Sequence, residues 1–315
     1  VSALLEVIGL SKRFPLARGH AVHALDDVSF SLAHGEALGV VGESGCGKTT
    51  LSRIIARLLD ASDGSIVFDG ADIAGIPAAR FARDPRRGQI QLVFQDATDS
   101  LDPRHTAATI IAEPLCLLRG LRGAALAARV AECARLVGLP PELLSRYPHQ
   151  LSGGQKARVG IARAIAPEPR LLILDEPTSA LDVSVQAVVL RLLAELREAL
   201  GLTCLFISHD LNVVRLLCDR VMVMYLGRVM ELGPAARVLA EPAHPYAQAL
   251  AHAVPTGVPR PRQAIDAGEP MSPIDPPPTM CRFAPRCPRV HARCRTEMPA
   301  LVVRDAVHQV ACHAA

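Results

Sequence analysis

The sequence has no tryptophan, and aromatic residues make up only 3% of its 315 positions. A core must therefore be built from Leu, Val, Ile and Ala, and a hydrophobic content of 50% is ample for one. No stretch reaches the roughly 18 consecutive apolar residues that a membrane-spanning helix needs. The most apolar runs, "LLIL" (171–174) and "VMVMYL" (221–226), have the length of buried strands. A basic segment followed by an apolar one is missing from the N-terminus, so no signal peptide is expected and the chain reads as soluble and cytoplasmic. Position 1 is Val, which reads as a processed chain or one cut from a longer protein. Strong charge is also lacking. A formal net charge of +3 argues neither for nor against nucleic acid, whose binders usually carry a larger excess on one face.

What is present is alternation of strands and helices. "EALGVV" (36–41) reads as a buried strand that stops at a glycine-rich loop, and "TTLSRIIARLL" (49–59) has apolar residues at helical spacing. Residues 105–166 read as mostly helical, with a break at "GLPPELL" (138–144). Beyond them, "LLILD" and "TCLFIS" are strand-like and "VSVQAVVLRLLAELREAL" (183–200) is an amphipathic helix. This order predicts an α/β fold with a mainly parallel sheet covered by helices. The expected division is a nucleotide-binding core from 1–95 and 166–254, a helical insertion at 96–165, and an extension at 255–315. Residues 255–299 hold 11 of the 25 prolines, which predicts an irregular tail because proline lacks a backbone donor and blocks helix.

"GESGCGKT" (42–49) fits G-x-x-x-x-G-K-[ST] and sits between an expected strand and an expected helix. Gly42, Gly45 and Gly47 let the backbone turn tightly and aim several N–H groups at one point, where a helix N-terminus adds partial positive charge. Lys48 would reach the β- and γ-phosphates, and the Thr49 hydroxyl would ligate Mg²⁺. Ser44, Cys46 and Thr50 complete the candidate loop. The alternative is a glycine-rich turn with a chance lysine, which the flanking elements disfavour. "LLILDEPTSALD" (171–182) ends a strand in two carboxylates. Asp175 is placed to hold Mg²⁺ through water and Glu176 to accept a proton from an attacking water. Alone, this would read as a solvated acidic turn; paired with the phosphate loop it reads as catalytic.

"LSGGQ" (151–155) opens a helix with Ser152 as N-cap. Together with the two motifs above, it resembles the signature sequence of ABC-type ATPases, and the resemblance runs through nearly the whole chain. Gln95 in "LVFQD" is similar to that family's Q-loop glutamine, "SALD" (179–182) to its D-loop, and His209 in "ISHD" to its switch histidine. The resemblance implies ATP and Mg²⁺ as cofactors, with Thr49, Gln95 and Asp175 around the metal. It implies Glu176, His209 and Gln95 as the catalytic set. It also implies a head-to-tail pair of cassettes in which Ser152, Gly153, Gly154 and Gln155 complete the partner's site. Phe14 is the best match for an aromatic that stacks on the base; His20 and His23 are alternatives, and a core role for Phe14 is nearly as good a reading.

"FQDATDSLDPRHT" (94–106), "TSALDVSVQ" (178–186) and "HPYAQAL" (244–250) resemble the ATPases of dipeptide and oligopeptide importers. The usual form there has Pro where Ala97 stands and Asn where Asp102 stands. That branch implies import of peptides, two transmembrane permease subunits, a second and probably different cassette, an external binding protein acting indirectly, and a place on the cytoplasmic face of the membrane. Nickel chelates or a soluble non-transport role are the alternatives; no nucleic-acid partner is implied. Some members carry a 4Fe–4S cluster on four extension cysteines, here matched by Cys281, Cys287, Cys294 and Cys312. Four thiolates select iron–sulfur or zinc, so zinc and free thiols stay open, with His291, His308 and His313 as substitute ligands.

Overall fold

The computed structural model describes residues 3–95, 99–253, 268–305 and 307–315. Ala97 and most of the proline-rich stretch that opens the extension lie outside the described residues.

Two sheets and a set of helices make up the fold. The first sheet is antiparallel, in the order β2-β1-β4-β5, from β1 (Ala3–Pro15), β2 (Ala21–Ala33), β4 (Asp63–Phe68) and β5 (Ala71–Asp72). Its first two strands have 13 residues each, and several register shifts let them bend while staying paired. The second sheet has eight strands. It contains β3 (Ala37–Val41), β6 (Ile90–Val93), β7 (Leu171–Asp175), β8 (Thr203–Ile207), β9 (Arg220–Tyr225) and β10 (Arg228–Pro234). The extension adds β11 (Val302–Asp305) and β12 (His308–Val310), and the order is β11-β12-β10-β9-β3-β8-β7-β6.

From β9 to β6 every neighbour pair is parallel. Strands β3, β7 and β8 are buried at all five positions, as expected where helices cover both faces. Alternation sorts their side chains. Leu38, Val40, Ile173 and Leu205 pack toward the first sheet and α1 (Lys48–Ile55), which contributes Leu51, Ile54 and Ile55. Ala37, Val41, Leu172, Leu174 and Phe206 face the other core. That core is built with α5 (Gly153–Ile165), α6 (Val183–Leu200) and α7 (Leu211–Leu217), which follow the short α2 (Ala78–Phe81) and the α3 (Ala107–Leu118) and α4 (Gly123–Leu136) pair. Helices α8 (Ala235–Ala240) and α9 (Pro245–Ala253) follow β10, and α10 (Ala292–Thr296) lies in the extension.

The extension is more ordered than its prolines suggest. β12 pairs with the free edge of β10, where Glu231 opposes Val310. Beneath that pairing, His308 Nε2 lies 2.8 Å from Glu231 Oε1, both side chains being buried. The same carboxylate accepts the N–H groups of Ala243 and His244. Farther along, Arg282 is 1% exposed and its guanidinium meets Asp26 Oδ2 at 2.6 Å, an oxygen shared with Arg228 Nε at 2.8 Å. Burial alone would raise the Asp26 carboxyl, but the two guanidiniums outweigh it and hold the group below its usual range. The stabilisation is therefore complete above the pKa of an unfolded aspartate and fades as pH falls through the lowered folded value.

Asp26→Ala should cost about 3–5 kcal/mol in urea unfolding at neutral pH, because it strands a buried guanidinium. A change under about 0.5 kcal/mol would show that the extension is not anchored there.

Candidate functional site

Parallel strands deliver the site. Gly42 follows β3, Gln95 follows β6, Glu176 follows β7 and His209 follows β8, so four loops meet at the carboxyl edge of one sheet. Between them lies a cavity of about 420 Å³ lined by Ser44, Gly45, Gly47, Lys48, Thr49, Thr50, Gln95, Glu176 and His209, with Val22, His23, Ala24, Leu226 and Pro273.

The phosphate loop runs straight into α1, with Gly47 as N-cap at φ 106°. A β-carbon on Gly47 would sit 2.3 Å from the Ala24 carbonyl oxygen, so no larger residue fits. Lys48 is buried and its ammonium donates to the carbonyls of Gly42 (2.7 Å) and Glu43 (2.9 Å). Cys46 is buried behind the loop and its thiol is pushed up by burial, with Lys48 pulling the other way. It does not face the cavity.

Asp175 is 4% exposed, and Ser52 Oγ donates to its Oδ2 at 2.8 Å. Its Oδ1 is buried with no hydrogen-bond partner. An orphaned carboxylate oxygen suits a hard divalent cation such as Mg²⁺; Asp175 is not among the residues lining the cavity, whereas Thr49 and Gln95 are. These three residues would hold it. Glu176 adopts φ 46°, a conformation that costs a β-carbon-bearing residue about 1 kcal/mol and fits a functional turn. Its N–H donates to the Ile207 carbonyl. Its Oε2 accepts from Gln95 Nε2 at 3.1 Å and lies 3.4 Å from His209 Nδ1. The catalytic candidates named from sequence are thus brought together.

The signature residues are not. Ser152 Oγ accepts the Gln155 N–H at 3.3 Å and Gln155 Oε1 accepts the Ser152 N–H at 2.9 Å, a reciprocal cap on α5. Gly154 packs so closely on α6 that a β-carbon would meet Val185 at 2.6 Å. Ser152, Gly153, Gly154 and Gln155 line no part of this cavity, and Ser152 and Gly153 are exposed. Phe14 also stays outside it: it opposes Val22 across the first sheet, half-exposed, with the Lys12 ammonium 5.1 Å from its ring centre. Its cross-strand neighbour Val22 and the alternative candidate His23 do line the cavity.

The four extension cysteines are mutually near. Burial first, opposed by a hydrogen bond from the Phe283 backbone and aided by Cys294, Cys287 and Cys312, pushes the Cys281 thiol up to about 11. Yet among the described residues no three Cys, His, Asp or Glu side chains are grouped to hold a metal ion. The expected cluster ligand set is therefore not formed in this structure. Burial also pushes the Cys287 and Cys312 thiols up, and the His308 ring nitrogen Nε2 is taken by Glu231.

Several functional contacts have no local sequence signal. Tyr246 of "HPYAQAL" accepts the Glu43 N–H on its hydroxyl at 2.8 Å, across 203 residues. Arg286, next to Cys287, pairs with the Glu43 carboxylate at 2.8 Å. His244, drawn down to about 3 by burial, stays neutral and accepts the Tyr246 N–H at 3.0 Å. Tyr246 and His244 lie in the "HPYAQAL" stretch that resembles the importer subfamily, but nothing local in that stretch points to Glu43.

A nucleotide-sized cavity built on a phosphate loop, an orphaned Asp oxygen and a Gln–Glu–His cluster defines a P-loop nucleotide-binding cassette. Residues 25–179 match the ABC transporter family, and residues 230–294 match the C-terminal region of oligopeptide/dipeptide transporters. The chain belongs to the ABC transporter family. It is 47% identical to the probable peptide ABC transporter ATP-binding protein y4tS of Sinorhizobium fredii, over 99% of this chain and 90% of that one. It is 44% identical to the oligopeptide transport ATP-binding protein AppF of Bacillus subtilis, over 98% and 97%. Among solved structures, a dimeric post-hydrolysis state of the ATP-binding cassette MJ0796 bound to ADP and Pi aligns with a TM-score of 0.67 at 29% identity, covering 73% of this chain and 98% of that one. Among the described residues no helix is long and apolar enough to cross a membrane.

Tyr246→Phe should destabilise the fold by about 1–3 kcal/mol, by leaving the Glu43 N–H unpaired. It should also raise the KM for ATP. Steady-state kinetics and thermal unfolding check both, and an unchanged KM would separate α9 from the phosphate loop.

Proposed function

We propose that the chain hydrolyses ATP to energise peptide import through partner permease subunits at the cytoplasmic face of a membrane. The observation that carries the hydrolytic part is the convergence of Gln95, Glu176 and His209 beside the phosphate loop. The names of the relatives support the transport part. In this reading the loop N–H groups and Lys48 bind the phosphates, and Thr49, Asp175 and Gln95 hold Mg²⁺. The cation, once bound, would neutralise charge developing on the phosphate oxygens. Glu176 takes the proton from an attacking water, Gln95 orients its carboxylate, and His209 donates toward the phosphate that leaves.

The exposed signature on α5 supports a second cassette that brings its own Ser152-like cap to this cavity, while this chain's Ser152, Gly153, Gly154 and Gln155 serve the partner's site. Residues 96–165 form the permease-facing part in this reading. A groove of about 470 Å³ lined by Phe94, Glu113, Leu117 and Arg163 supports it, since it lies between that helical part and β6. A different cassette as partner, and a binding protein that delivers cargo outside, extend the same reading. The soft donor set of Cys281, Cys287, Cys294 and Cys312 supports an iron–sulfur cluster, with zinc as the alternative, that would require these thiols to rearrange and deprotonate. Protein purified without oxygen should then carry matched iron and sulfide that is lost in Cys287→Ser; protein with neither iron nor zinc overturns the metal reading.

Glu176→Gln should lower steady-state hydrolysis at least about 100-fold while MgATP still binds. Turnover at the parent rate would remove Glu176 from the proton-transfer role.

A further inference from the structure

The extension returns across the molecule to the free edge of β2. His23 donates its N–H to the Pro273 carbonyl at 2.9 Å, and Asp275 donates its N–H to the Ala21 carbonyl at 3.0 Å. Val22 and Ile274 pair between these bonds as an antiparallel bridge. The Asp275 carboxylate locks the pairing. Its Oδ1 accepts the Ala21 N–H at 3.1 Å, and its Oδ2 lies 2.6 Å from His20 Nδ1. His23 Nε2 is 3.8 Å from Oδ1. Three residues of the extension thus act as an added strand on β2.

That strand borders the nucleotide cavity, because Pro273 lines it together with Val22, His23, Ala24 and Leu226. The direction of the cavity follows from Ala24, whose carbonyl lies against Gly47 of the phosphate loop. From Ala24 the strand steps back through His23 to Val22, about 3.3 Å per residue, away from Lys48. A nucleotide with its phosphates in the loop has its base at this far end. There the wall is the pyrrolidine ring of Pro273 and the apolar side chains of Val22 and Leu226, beside the His23 imidazole.

We propose that Pro273 contacts the nucleotide base and that Asp275 is a positioning residue that clamps the extension to β2 for that contact. The proposal rests on the nucleotide reading of the cavity and assigns the base end to a part of the chain outside the phosphate-binding motifs. A saturated ring offers a purine face apolar contact without reading its edge, so adenine and guanine nucleotides are held alike there.

The test is calorimetric titration of the full chain and its Pro273→Gly, Pro273→Ala, Asp275→Ala and Asp275→Asn variants. The probes are MgATP, MgGTP and magnesium tripolyphosphate, which carries phosphates and no base. Pro273→Gly and Asp275→Ala should weaken MgATP and MgGTP by the same factor, about three- to twentyfold, and leave tripolyphosphate within about twofold. Pro273→Ala should fall between, and Asp275→Asn, which keeps an acceptor for the Ala21 N–H, should recover part of the loss. Equal weakening of ATP and tripolyphosphate, or no weakening of ATP, overturns the proposal. A Lys48→Ala control that binds all three probes as tightly as the parent chain would instead overturn the nucleotide reading of the cavity.

Discussion

The phosphate loop must be held in one shape before it can gather N–H groups around a phosphate, and fixing backbone costs about 1–2 kcal/mol per residue. Three neighbours supply that restraint. Ala24 of the first sheet closes on Gly47. The turn between β9 and β10 donates the Gly227 N–H to the Cys46 carbonyl at 2.9 Å. Tyr246 and Arg286 take the N–H and the carboxylate of Glu43. The loop is thus gripped by the antiparallel sheet, by the core sheet and by the extension together.

This grip explains why the extension is built as it is. Buried ion pairs and hydrogen bonds stabilise little by themselves, but breaking one strands its buried partner at a cost. Arg282 with Asp26, and His308 with Glu231, tie the extension to β2 and to β10. Tyr225, Tyr246 and Phe283 pack against one another in tilted and edge-to-face contacts, with ring centres 4.7–5.4 Å apart. Three of the ten Phe and Tyr side chains thus meet where α9, β9 and the extension come together.

Features that depend on neighbours in sequence were legible in the sequence. The phosphate loop, the acidic end of β7, the Ser152 cap and the all-apolar parallel strands each follow from a local pattern, and the sheet order brings Gln95, Glu176 and His209 to the same edge. Features set by distant pairing were not. Proline density marks the extension as irregular, yet β12 needs only three residues because β10 supplies a ready edge and Glu231 a buried partner. Phe14 fits the pattern of a base-stacking aromatic; the register sets it opposite Val22, which lines the cavity, while Phe14 itself is not among the lining residues. Pro273 had no signal at all, since its role comes from a bridge across some 250 residues. The four cysteines share the extension, but among the described residues their side chains are not grouped to hold a metal ion.

The central claim is that the extension and the phosphate loop form one nucleotide-responsive unit. Amide hydrogen exchange with and without MgATP tests it most directly. The account predicts that nucleotide slows exchange in residues 42–49 and, in the same titration, at Ile274 and Asp275 and around Arg286. Protection confined to the phosphate loop, with exchange in the extension unchanged at saturating nucleotide, would contradict it.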